Sequence, residues 1–275
     1  MKVGATLDIA SIENLLEPVI QAGDAAREAL SDPRSLEAEL KADGSVLTKM
    51  DRATEDALVG EIRRNWPAAN IVSEETELPF DPACPYSFAL DPIDGTDSFS
   101  QGMAGWCVSV GLLHGINGSL QPVAGIIYAP MMDLLLFADI GQPVTRNGVS
   151  VRLRKNPPAM TKRTNLMAYS KIHKGLDLSD YPGKIRSIGS AALHLCAPAI
   201  YSNVIGALEA PRTHIWDIAG AHAISKSLGL EVDYLSGGSI DYAPLLRRGP
   251  VTDFVLCCRR EAGKGLRNAL EPKKN

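Results

Sequence analysis

Five short apolar runs between residues 70 and 139 limit what this chain can fold into more than any other feature. "NIVSE", "YSFALD", "GWCVSVGLL", "LQPVAGIIYA" and "DLLLFAD" are rich in β-branched or large apolar residues and are separated by Gly, Asn or Pro. Runs of that length and spacing read as consecutive strands. "HGING" joins two of them as a hairpin, and strands that follow one another so closely pair mainly antiparallel. Two helical patterns come first. Ile9, Ile12, Leu15, Leu16, Val19 and Ile20 recur at helical spacing behind Asp8 as N-cap, which predicts a helix over 8–30 stopped by Ser31-Asp32-Pro33. The polar "KADGS" leads to a second helix from Thr48 to Asn65, opened by a Thr48/Asp51 capping box and ended by Pro67. Residues 1–145 therefore read as an α+β half built on an antiparallel sheet.

Around residue 145 the texture changes. "TNLMAYS", "KIRSI", "SNVIGALE" and "FVLCC" read as strands, and "GSAALHLCAPAIY" and "DIAGAHAISKSLG" as helices that each follow a strand. That alternation predicts a smaller α/β half over 146–275, with the terminal "EPKKN" frayed.

Composition narrows the function classes. The chain has 275 residues, 45% of them hydrophobic, which suits a globular protein with a substantial core. A formal net charge of -4 offers no basic surface of the size a polynucleotide needs, so nucleic acid is not expected as a partner. The five cysteines form no C-x-x-C pair, which argues against a zinc site or a disulfide framework. Asp8, Glu13 and Glu17 interrupt the early apolar residues, and no apolar run reaches the roughly 18 residues of a membrane span. A cytoplasmic protein with no membrane partner is the expectation.

Chemistry concentrates where "FAL" runs into Asp91, Pro92, Ile93, Asp94, Gly95 and Thr96. Pro92 has a fixed φ, so Asp91 and Asp94 sit on one constrained turn where their carboxylates can converge. Gly95 and Thr96 then open a turn or short helix whose free N–H groups suit a phosphate. Two carboxylates beside a phosphate repel it unless cations lie between them. Hard oxygen donors without a His or Cys cluster select Mg²⁺ or Mn²⁺ over zinc, and the five histidines share no ligand spacing. Glu74 and Glu75 end a strand, and Asp217 opens a helix, so all three are further candidates. Taken singly, each residue has an ordinary use: a turn for the D-x-x-D, an N-cap for Asp217, a helix cap for Asp51, a solvated strand end for Glu74-Glu75. Their joint occurrence points to a metal site.

That joint pattern resembles the inositol monophosphatase superfamily of metal-dependent, lithium-sensitive phosphatases. "DPIDGTDSF" is similar to its first signature, "WDIAGAHAI" (Trp216 to Ile224) to its second, "SEE" to its acidic loop, and "LTKMD" to the segment with its helper aspartate. A Gly-Ser-Ala-Ala segment, Gly189 to Ala192, lies between the signatures, and the resemblance spans roughly residues 8–260. It implies a layered α-β-α-β-α sandwich of the inositol monophosphatase and fructose-1,6-bisphosphatase type, and a homodimer. It implies Glu74, Asp91, the Ile93 carbonyl, Asp94 and Asp217 as metal ligands, with Asp91 shared between two or three Mg²⁺ ions, Mn²⁺ as a substitute and Li⁺ as an inhibitor. Thr96 and Asp51 would orient and deprotonate the attacking water, with Glu75 beside the metal site. Asp94, Gly95, Thr96, Ser190, Ala191, Glu209 and Arg212 would meet the substrate, a small phosphate ester.

Inositol monophosphate or a related sugar phosphate is the first expectation. In inositol-type members an acidic side chain shortly before the second signature meets the sugar hydroxyls, whereas here Glu209 is displaced by a residue and Arg212 enters. "YAP", "SKIH" and "THIWD" resemble the branch that removes the 3'-phosphate from adenosine 3',5'-bisphosphate, a 3'(2'),5'-bisphosphate nucleotidase, and Arg212 would suit a second phosphate. Asp97-Ser98 also departs from the usual first signature, and Trp106 reads as sheet packing in preference to base stacking. A non-catalytic regulatory member, or an unrelated protein holding structural Ca²⁺, are the readings of other classes. The complete ligand set argues against the first and the two signatures against the second.

Overall fold

The computed structural model describes residues 11–32, 37–41, 46–116, 119–156 and 158–273. Asp8, most of "KADGS", the Asn117-Gly118 tip of "HGING" and the last two residues of "EPKKN" lie outside them.

Helix α1 (Leu16–Ala29) follows a 3-10 turn over Ile12–Leu15, so the first helix begins more tightly wound than its periodicity suggested. A short ladder of β1 (Ala38–Leu40) and β2 (Val46–Thr48) leads into α2 (Lys49–Asn65), whose Thr48/Asp51 capping box forms as expected. Next come β3 (Asn70–Ser73), β4 (Tyr86–Asp94), the one-turn α3 (Thr96–Ser100), β5 (Cys107–Ile116), β6 (Ser119–Ala129), β7 (Leu134–Ala138), β8 (Thr145–Arg146) and β9 (Val149–Ser150). The seven strands β3 to β9 form one sheet in chain order, with β3 and β4 parallel and every other pair antiparallel.

The later elements are β10 (Asn165–Ala168), β11 (Leu176–Asp177), β12 (Lys184–Arg186), α4 (Ala191–Ile200), β13 (Val204–Glu209), α5 (Ile215–Ser227), β14 (Glu231–Tyr234), β15 (Val255–Cys258), α6 (Arg260–Ala269) and β16 (Glu271–Pro272). The second sheet runs β12-β10-β13-β15-β14 and is mixed. Glu271 and Pro272 are not frayed: they pair with Asp177 and Leu176, closing a small ladder far from their place in the chain.

Alternation along the strands builds the layers. Phe88 and Leu90 of β4 pack with Ile12, Val19, Leu58 and Ile62 under α1 and α2. Ala89 on the opposite face joins Ile218, Ala221 and Ala197 of α5 and α4, and the same core continues into Ala207, Val255 and Cys257 of the second sheet. Leu208, Leu256 and Cys258 on the outer face of that sheet meet Leu266 and Ala269 of α6. The order is helices, sheet, helices, sheet, helix, the layered α-β-α-β-α sandwich that the motifs implied.

Candidate active site

The phase of β4 brings its two aspartates together. Asp91 follows Ala89 by two residues and so points to the α5 side of the sheet. Asp94, three residues further, would face the other way in a regular strand. The pairing register, however, slips between Asp91, opposite Ser109, and Asp94, opposite Cys107, which puts one extra residue on β4. Pro92 has no N–H to give the ladder, and the bulge there turns Asp94 back to the face of Asp91.

Asp217 arrives from the other side on the first turn of α5. Gly220 lets that helix lie directly on the sheet: a Cβ there would meet the Val110 carbonyl oxygen at 2.7 Å. Ser109 Oγ donates to the Trp216 carbonyl at 3.3 Å and fixes the helix start along the strand. The His214 amide donates to Asp217 Oδ2 at 2.5 Å, half of a capping box between these two residues. Carboxylate oxygens of Asp91, Asp94 and Asp217 consequently lie within 4.8 Å of one another.

The acidic loop adds Glu74 and Glu75, bridged by Lys41 Nζ at 2.8 and 2.7 Å. Burial opposes the Lys41 charge, yet Glu74 and Glu75 outweigh it and hold the ammonium well above its usual range. Burial, reinforced by Glu74, pushes Glu75 up to about 7. Asp51 is fully buried; its Oδ2 accepts from the Thr48 amide and hydroxyl, and its Oδ1 faces Thr96 Oγ1 at 2.9 Å. Burial raises the Asp51 carboxyl above the ordinary value in spite of those donors.

Electrostatics exposes what this cluster requires. Asp91 is raised well above the usual carboxylate range by burial and then by Glu74, Asp94, Asp217 and Asp51. Asp217 is raised by burial and then by Asp94 and Glu74. Asp91 Oδ1 is buried without a hydrogen-bond partner among the described residues. An orphaned carboxylate oxygen among like charges is costly, and a hard divalent cation is the partner that removes both penalties. The donor set, all oxygen, fits Mg²⁺.

The remaining candidates fall into two groups. Gly95, with φ +97°, forms the left-handed turn ahead of Thr96, whose hydroxyl also lies 2.9 Å from the Ile93 carbonyl. Ser190 Oγ and the Ala191 and Ala192 amides donate to Asp94 at 2.5, 3.2 and 2.7 Å, so the start of α4 is tied to the cluster. Glu209, by contrast, is 3% exposed and its Oε1 meets His194 Nδ1 at 2.5 Å. His194 Nε2 accepts from the Ile188 amide at 2.7 Å, so Nδ1 carries the proton and donates to Glu209. Arg212 lies on the loop before α5, exposed, with φ +83° and its amide bound to the Val251 carbonyl at 2.9 Å. Sequence reasoning missed Lys41, His194 and Glu55. Glu55 Oε1 is buried under the acidic loop and accepts from the Glu75 and Thr76 amides at 3.2 and 3.1 Å. A carboxylate on the buried side of an amphipathic helix was the one available signal for it.

Comparison with known proteins settles the family. A model of the inositol monophosphatase family matches residues 10–265. The chain belongs to that family. Its members are phosphoric monoester hydrolases, in agreement with the reading of the motifs. The 3'(2'),5'-bisphosphate nucleotidase CysQ of Escherichia coli (strain K12) is 27% identical over 231 residues, covering 81% of this chain and 90% of its own length. Inositol monophosphatase 3 of Solanum lycopersicum is 26% identical over 249 residues, covering 84% and 90%. The crystal structure of an IMPase/NADP phosphatase complexed with Mg²⁺ and phosphate covers 95% of this chain and 97% of its own, with a TM-score of 0.78 at 16% identity, a likeness of fold.

Proposed function

We propose that this chain is a Mg²⁺-dependent phosphomonoesterase acting on a small phosphorylated metabolite. The unpartnered, buried Asp91 Oδ1 at the centre of converging carboxylates is the observation that carries the reading. Glu74, Asp91, the Ile93 carbonyl, Asp94 and Asp217 would hold the metal, which when bound supplies Lewis acidity and positive charge where phosphoryl transfer builds negative charge. The Gly95 and Thr96 amides are the proposed phosphate contacts.

Thr96 and Asp51 supply the proton path. Thr96 Oγ1 lies 2.9 Å from both Asp51 Oδ1 and the Ile93 carbonyl, but it has one proton to give. Given to Asp51, that proton leaves the Ile93 carbonyl free to face a cation and leaves a Thr96 lone pair for the incoming water. The water passes its proton to Thr96 as Thr96 passes its own to Asp51, whose raised pKa suits it to accept. Asp51 is held for that task by Thr48, and Glu75 stands beside the site as a titratable neighbour.

Inositol monophosphate or another sugar monophosphate is the first substrate class. A second class, bisphosphates such as adenosine 3',5'-bisphosphate, is favoured by one observation: the carboxylate expected to meet sugar hydroxyls, Glu209, is enclosed against His194, while the Arg212 side chain is exposed before α5. Phosphate release with Mg²⁺ from inositol 1-phosphate, several sugar phosphates and adenosine 3',5'-bisphosphate, with and without Li⁺, tests both. Preference for the bisphosphate that Arg212→Ala abolishes would assign the second class. Failure to release phosphate from any of them, with Mg²⁺ or Mn²⁺, would refute the proposal.

A further inference from the structure

The loop that presents Glu74 is held from both sides. Glu55 takes the Glu75 and Thr76 amides and the Ser73 and Thr76 hydroxyls from below. Its carbonyls turn the other way, to Arg248. One guanidinium nitrogen, Nη2, donates to the Glu74 carbonyl at 2.8 Å, and Nη1 donates to the Ser73 carbonyl and, at 3.3 Å, to that of Thr76. The same guanidinium lies over the ring of Trp216, 4.8 Å from its centroid, and the other aromatic on that indole is His214, stacked at 4.6 Å and 6°. Trp216 is buried and immediately precedes Asp217. One side chain thus touches both segments that bring proposed metal-ligand carboxylates, Glu74 and Asp217, to the site from outside β4.

The backbone of Arg248 makes the case sharper. Its φ is +62°, in the left-handed region at the end of a 3-10 turn over Pro244–Arg247. Glycine adopts that conformation freely and an L-residue does so under strain. The turn has no use for an arginine, so what the arginine contributes lies in its planar fork, which matches several carbonyls at once and stacks on an aromatic ring.

We propose that Arg248 is a positioning residue of the site, a clamp that ties the backbone of the Ser73–Thr76 loop to the Trp216–Asp217 corner and so sets the spacing of Glu74 from Asp217. The inference rests on the metal-dependent reading above. Loss of the clamp loosens two ligands at once while leaving the Thr96–Asp51 pair, on other elements, in place. The cost therefore falls on metal affinity first.

Arg248→Gly separates the clamp from the turn, because it removes the fork and relieves the backbone. Mn²⁺ binding to the metal-free protein, followed by calorimetry, is expected to weaken by about 10- to 100-fold, as when groups that orient metal ligands are removed. The Mg²⁺ concentration for half-maximal phosphate release should rise in step, with kcat at saturating Mg²⁺ changing far less and the melting temperature of the metal-free protein held or raised. Millimolar guanidinium should restore part of the affinity to Arg248→Gly and none to wild type. Arg248→Lys, which keeps the charge and gives up the fork, should fall between the two and serves if Arg248→Gly does not fold. Wild-type Mn²⁺ affinity in either variant would overturn the clamp. Wild-type protein that neither binds Mn²⁺ nor releases phosphate would overturn the underlying reading, and the clamp with it.

Discussion

Replacing Asp91 by Asn should stabilise the metal-free protein while abolishing its response to metal. In the fold, Asp91, Asp94 and Asp217 present oxygens within 4.8 Å of one another, and Asp91 Oδ1 has no donor. At an effective dielectric of about 20, two like charges at that separation repel by about 3.5 kcal/mol, and Asp91 takes part in two such pairs within the triad. Proton uptake relieves part of this, since burial and the neighbouring carboxylates raise the Asp91 pKa. A net gain of about 2 to 4 kcal/mol on neutralising the residue follows, or roughly 3 to 7 °C in melting temperature for a chain of this size. The pH dependence has a definite sign. A carboxyl whose folded pKa is raised gives its full share of stability below its ordinary value of 3.8 and loses it as pH rises through the folded value. The advantage of Asp91→Asn over wild type should therefore widen from acid to neutral pH. Thermal unfolding in EDTA and in Mg²⁺, across that range, is the assay. Wild type should gain about 2.7 kcal/mol at a Mg²⁺ concentration 100 times its Kd, and Asp91→Asn almost nothing, with phosphate release lost. A variant that melts below wild type in EDTA, or that keeps the Mg²⁺-dependent rise, would refute the assignment of this cluster as a cation site.

Thr96→Ala should lower kcat by about 100-fold or more with little change in melting temperature, because it removes the hydroxyl between water and Asp51; Thr96→Ser should recover most of the rate, and unchanged turnover in the Ala variant would remove Thr96 from the proton path. Gly220→Ala puts a Cβ 2.7 Å from the Val110 carbonyl oxygen, so α5 must ride up on the sheet. A loss of about 1 to 3 kcal/mol is expected, with a higher Mg²⁺ requirement as Asp217 moves, and wild-type values in both would show that α5 tolerates the shift. His222 is held down to about 3, first by burial and then by Lys226, with Nδ1 2.7 Å from the Tyr242 hydroxyl. A histidine with a depressed folded pKa costs stability as pH falls below its ordinary value of 6.5, so about 2 kcal/mol should be lost between pH 7 and pH 5. Denaturant titration at the two pH values checks this, and an equally steep acid loss in His222→Gln would assign it to other groups.

How far the fold could be read depended on whether an element's signal was local. The strands from β3 to β7 were legible because each carries a run of apolar residues long enough to show. β8 and β9 have two residues each, too short for any pattern. β14, "EVDY", carries no strand pattern that shows in the sequence, because only Val232 of its four residues is buried. α6, "REAGKGLRNA", does space its buried Gly263, Leu266 and Ala269 at helical intervals, but two glycines and a single large apolar side chain weaken it as a helix signal. The ladder of Glu271 with Asp177 depends on a partner almost a hundred residues upstream. The site behaves likewise. Its carboxylates stand in short motifs, whereas the pairing of Glu209 with His194, the Lys41 bridge and the Arg248 clamp are contacts between segments that no local spacing records.

The ordinary and functional readings of the aspartates were framed as alternatives, and the geometry makes them one device. Asp51 sits at the third position of α2 and uses Oδ2 to cap the Thr48 amide, which leaves Oδ1 aimed at Thr96. Asp217 holds the same position in α5, its Oδ2 on the His214 amide, and still brings its carboxylate to Asp91. A capping bond fixes the rotamer of a short side chain before any ligand arrives. The entropy of orienting those two carboxylates is thus spent in folding the helices, not in binding a cation. The same reasoning covers Asp94, pinned by Ser190 and the first amides of α4. Asp91, the one carboxylate among the described residues with a fully buried, unpartnered oxygen, is placed instead by the strand and its bulge.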